Sequence, residues 1–140
     1  MTPQRLIVFD VEGVLLPKAR FLLLEVVRRM GFWALVKATF FVVLYEIGLL
    51  SLKDLLKRLY KPLTGTPLGQ LIAISQHLPL MPGTETVISE LKREGFKIAL
   101  ISSGIPTIVL KQMAERLGVD YFSGVEVGVR EERLTGEIWG

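Results

Sequence analysis

Apolar residues change their spacing several times along this chain, and each change predicts an element. Leu6-Ile7-Val8-Phe9 is a continuous apolar run that meets a carboxylate at Asp10. Such a run predicts a fully buried parallel strand whose carboxyl end opens into a site. Over residues 21–30 apolar positions recur at helical spacing, until Gly31 breaks the pattern. Residues 31–50 then carry Lys37 and Glu46 as their only charges. Twenty residues could span a bilayer, but a charge near the centre of a span costs roughly 2.5–3.5 kcal/mol. The stretch is therefore expected to be helix packed on protein or on a partner.

Ser51 is placed to cap a helix whose apolar positions are Leu52, Leu55, Leu56 and Leu59. Pro62, Gly65 and Pro67 mark a turn, a short apolar helix follows over residues 68–78, and residues 79–83 form a hinge. His77, at that helix end, is assigned no chemistry. Residues 84–94 predict an amphipathic helix stopped by Gly95. A second buried strand, residues 97–101, leads through Ser102-Ser103-Gly104 into a helix over 106–117 that closes at Gly118. Strand, helix and strand in this order predict a parallel α/β layer. Residues 122–129 and 134–138 predict a terminal hairpin.

With 140 residues the chain holds one ordinary domain, with room for a small insert. It has no cysteine, which fits a cytoplasmic setting. The formal charge is +3 and the basic residues are scattered, so nucleic-acid binding has no support. The first residues lack the pattern of a signal peptide. Half of the residues are apolar. Either the core is large or an apolar surface meets a partner.

The chemistry gathers at strand ends. Asp10 and Glu12, followed by Gly13, can direct two carboxylates into one small space, and the alternative is a strand end with two solvated acids. Ser102 offers a hydroxyl where backbone N–H groups at a helix start could cradle phosphate, and the alternative is an ordinary serine N-cap.

Together these residues resemble the haloacid-dehalogenase (HAD) superfamily of phosphotransferases, in its phosphoserine-phosphatase-like branch. Asp10-Val11-Glu12-Gly13-Val14-Leu15 is similar to the first motif in its Asp-x-Glu variant, and Ser102-Ser103-Gly104 to the second. Pro82-Gly83, Leu117-Gly118-Val119-Asp120 and Leu134-Thr135-Gly136-Glu137 are similar to segments around them. The resemblance implies an α/β fold, a parallel Rossmann-like HAD core over residues 1–17 and 82–140, with an inserted all-helical cap over 18–81. It implies a phosphomonoester hydrolase or phosphotransferase in which Asp10 forms an aspartyl phosphate and Glu12 is the acid/base. Ser102, Ser103 and Gly104 would hold phosphate, Asp10 and the Val11 carbonyl would bind Mg2+, and Arg58 would match a carboxylate-binding arginine. Lys18-Ala19-Arg20 stands where phosphoserine phosphatases carry a glutamate for the substrate amine, so phosphoserine itself is not implied. Two further family motifs, a Lys and a Gly-Asp strand, do not occur in these 140 residues. The chain alone is then expected to be inactive, with its first strand left as an apolar edge. The expected partners are a small phosphomonoester and, through the apolar cap, a second copy or a lipid surface. A binding module that kept the fold without catalysis is the alternative function.

Overall fold

The computed structural model describes residues 3–17 and 27–139. Most of the helix predicted over 21–30 lies outside them, and Val27, Arg28 and Arg29 are helical. The chain runs β1 (Leu6–Asp10), α1 (Phe32–Glu46), α2 (Leu52–Tyr60), a 3-10 turn (Lys61–Leu63), α3 (Leu68–Gln76), α4 (Thr84–Arg93), β2 (Lys97–Pro106), α5 (Thr107–Leu117), β3 (Tyr121–Arg130) and β4 (Arg133–Trp139). One sheet has the order β1-β2-β3-β4. The first three strands are parallel, and β4 returns antiparallel to β3.

Local chemistry explains several boundaries. Ser51 accepts from the Asp54 N–H at 3.1 Å, which satisfies an amide that α2 would otherwise leave open. Gly118 ends α5 in the left-handed conformation at φ 67°, where a side chain would be strained. Asp120 clips the start of β3 to β2 by accepting from the Ile98 N–H at 2.9 Å.

β1 departs from the expected burial. Leu6 and Val8 are 53% and 48% exposed, because β1 is the sheet edge and its register with β2 puts both on a face shared with Ile101, also exposed. The opposite face carries Ile98 and Leu100, both buried, and receives α4 and α5. β2 also runs past the expected residue 101, with a register irregularity before Pro106. Consequently Ser102 and Gly104 lie in an irregular strand, and the helix begins only at Thr107.

Residues 32–76 contain helices and no strand. Their link to the sheet is partly backbone: Gly65 donates to the Leu134 carbonyl, Leu134 to Thr66, and Leu68 to Glu132, at 2.7–2.9 Å. One core joins Leu55, Leu59 and Leu63 of this helical insert to Ile98, Leu100 and Val109. Among the described residues no helix is long and apolar enough to cross a membrane. The apolar stretch ends as a helix at Glu46, and Gly48 turns the chain at φ 79°.

Candidate active site

The parallel register sets Asp10 beside Ile101, so the first carboxylate and the Ser102 hydroxyl come from adjacent strand ends. This is where open α/β sheets place their ligands. Val11 is fully buried and donates its N–H to the Ile101 carbonyl at 3.1 Å, fixing the exit of the strand. A tight turn follows, in which Gly13 stands at φ 83°.

Glu12 is the electrostatic centre. Burial and then the charge of Asp10 push its carboxyl up to about 6, while a hydrogen bond from Ser102 pulls the other way. Asp10, Glu12 and Ser102 are therefore brought together. The Ser102 hydroxyl also accepts from the N–H groups of Gly104 at 3.2 Å and Ile105 at 3.0 Å. A Cβ at Gly104 would lie 2.8 Å from a Glu12 oxygen, so this glycine provides room rather than an unusual backbone angle. Ser103 is exposed beside it.

A raised acid has a defined thermodynamic sign. Between pH 4.5 and 6 the folded chain holds more protons on Glu12 than the unfolded chain. Stability from this group is complete below pH 4.5 and is lost as pH rises through 6. The full shift corresponds to about 2 kcal/mol, and partial solvent contact reduces it to about 1 kcal/mol. Glu12→Gln should remove that slope and stabilise the metal-free chain by about 1 kcal/mol at pH 7.5. Denaturant unfolding at pH 5 and 7.5 measures it, and an unchanged pH slope would refute it.

The insert contributes a residue that motif matching did not single out. Tyr60, nearly fully buried at the end of α2, donates its hydroxyl to the Gly104 carbonyl at 2.9 Å. Burial, with the charge of Glu12 adding, holds the phenol far above its ordinary range. The proton stays on, and the contact ties the insert to the Ser102 loop. Tyr60→Phe should leave that carbonyl unpaired and cost about 1–3 kcal/mol in thermal unfolding. No measurable loss would mean the carbonyl finds another donor. Its sequence signal was a polar tip on the inward face of α2.

Two implied ligands have other contacts in this structure. The Val11 carbonyl accepts from the N–H groups of Leu15 at 3.0 Å and Leu16 at 2.9 Å, so in this structure it serves the turn. Arg58 lies over the Phe41 ring, 5.0 Å from its centre, in a hollow between α1 and α2. Lys53 instead shares a cavity of about 250 Å3 with Ser102 and Ser103, walled by Leu52, Leu56, Ile138 and Trp139. Mg2+ requires near-octahedral oxygen ligands. The described residues bring the Asp10 and Glu12 carboxylates and no group of three or more acidic, histidine or cysteine ligands. They do not by themselves make up an Mg2+ shell.

Residues 7–140 match the family described as haloacid dehalogenase-like hydrolase. The chain belongs to this family. Phosphoserine phosphatase of Archaeoglobus fulgidus is 32% identical over 138 residues, covering 98% of this chain and 38% of that protein. A solved structure described as a phospho-aspartyl intermediate analogue of phosphoserine phosphatase superposes at TM-score 0.80 and 25% identity, over 98% of this chain and 63% of that one. A HAD family hydrolase from Salmonella enterica serovar Typhi superposes at TM-score 0.86 and 28% identity, over 96% and 45%. This HAD chain thus spans 38–63% of the length of these relatives. Its likeness is to phosphoserine-phosphatase-like members.

Proposed function

We propose that this chain carries the nucleophile and acid/base of a phosphomonoester hydrolase or phosphotransferase. The observation that supports it is the convergence of Asp10, Glu12 and Ser102 at adjacent strand ends, with Glu12 half-buried and raised to about 6. The related protein solved as a phospho-aspartyl intermediate analogue supports the same chemistry.

An Asp10 oxygen attacks phosphorus, a P–O bond to aspartate forms, and the bond to the ester oxygen breaks. Protonated Glu12 gives its proton to the departing oxygen. Water then attacks phosphorus as Glu12 takes a proton from it, and Asp10 leaves with its carboxylate restored. Splitting the displacement in two lowers each barrier, and a group titrating near 6 can both donate and accept close to neutral pH. Ser102 orients Glu12 and faces the phosphoryl oxygens, and the helical insert closes over the site as a cap, excluding water. Mg2+ is the family's usual ion, and ligands beyond the described residues would complete its shell. The test is incubation with a labelled aryl phosphate, acid quench and peptide mapping. Label on the peptide holding Asp10, released by hydroxylamine, supports the proposal, and label on any other residue refutes it.

A further inference from the structure

The outer face of α1 points its apolar side away from the protein. Ala38 is buried, and Ala34, Phe41, Val42 and Tyr45 pack on the core. On the other side Phe32, Trp33, Val36, Phe40, Val43 and Ile47 remain exposed, Phe32 and Trp33 by 71% and 74%. At 100° per residue these six fall within about 100° of arc, a stripe roughly 22 Å long. Soluble proteins seldom leave a continuous stripe of large apolar side chains uncovered.

Beside the stripe lies a hollow of about 220 Å3. Trp33, Phe41 and Pro62 form part of its wall, and among the described residues that line it Lys37 and Arg58 are the charged ones. Arg58 is held over the Phe41 ring, and a planar guanidinium stacked in this way can present its edge to an anion. Arg28 and Arg29, both exposed, precede the helix, and Glu46 is the acid at its far end. An apolar stripe bearing Trp and Phe with cations beside it matches the lipid-facing side of a helix lying in the plane of a membrane interface, the other side here being packed on the protein.

We propose that α1 docks on an anionic lipid bilayer, with its stripe between the acyl chains and a headgroup phosphate held by Lys37 and Arg58. A second copy fits less well. A stable dimer buries about 800 Å2 per partner from some 20–30 residues, more than one helix face offers. A symmetric pairing would also set the same cations on both sides of the contact. This surface faces outward from the cap helices and is independent of the Asp10 chemistry.

The test uses the 140-residue chain and vesicles of phosphatidylcholine alone or with phosphatidylglycerol. Co-sedimentation should require phosphatidylglycerol and weaken as salt rises. Lys37→Ala with Arg58→Ala should weaken binding roughly 25-fold, at about fivefold per cation. Phe40→Glu with Val43→Glu, both at exposed positions that the fold does not need, should abolish it. In a Trp139→Phe background the emission of Trp33 should shift to the blue on binding. Several results would overturn the proposal: no binding to either vesicle, equal binding to both, or glycerol phosphate in solution competing as well as vesicles do. A dimer that Phe40→Glu dissolves, without vesicle binding, would assign the face to a second copy instead.

Discussion

In a protein that spans the full length of its relatives, Asp10→Asn is expected to lower phosphomonoester turnover by about 10⁶-fold, the scale seen when a covalent nucleophile is removed. The amide keeps nearly the same size and cannot form the acyl phosphate, so the effect should fall on kcat. Asp10 lies at the open end of β1, anchored through the neighbouring Val11 N–H, so the fold should survive. Its removal should even relax Glu12, because the Asp10 charge is one cause of the raised Glu12 titration. Turnover of an aryl phosphate and the thermal midpoint should be measured together. Full activity in a folded Asp10→Asn chain would refute the covalent mechanism.

Much of the layout was legible because it depends on neighbours in sequence. The Ser51 cap, the glycine stop at Gly118 and the hairpin arise from contacts a few residues apart, and all stand close to where spacing put them. Asp10 and Ser102 were also legible, since each ends an apolar run and the fold class places such ends side by side. The rest depends on geometry that spacing does not carry. An apolar run such as Leu6-Ile7-Val8-Phe9 is compatible with either an edge or a centre, and only the strand order decides which. Tyr60 acquires its role from Gly104, 44 residues away. Arg58 turns on the phase of α2 against α1, which brings it to Phe41 and leaves Lys53 in the cavity with Ser102. The Val11 carbonyl takes its two hydrogen bonds from the tightness of a turn that Gly13 permits.

Glu12→Gln separates two roles that a single activity measurement would merge. If Glu12 donates a proton to the departing oxygen, its loss should matter in proportion to that oxygen's basicity. An alkyl phosphate leaves as a strongly basic alkoxide unless protonated, and general acid catalysis of such a step contributes about 10²–10⁴-fold. A nitrophenyl phosphate leaves as a stable phenolate, so formation of the aspartyl phosphate should be nearly unaffected. Its breakdown still needs a base for water, and Gln cannot serve. The variant should therefore show a burst of nitrophenolate followed by slow turnover, while the alkyl ester shows no burst. The pH profile adds a second readout, because the limb set by a group near 6 should vanish with the carboxyl. Gln retains the shape against Gly104 and can still accept from Ser102, so the cavity should keep its form. Equal losses on both esters without a burst would make Glu12 an electrostatic or structural neighbour of Asp10, and the proton would have to come from another group.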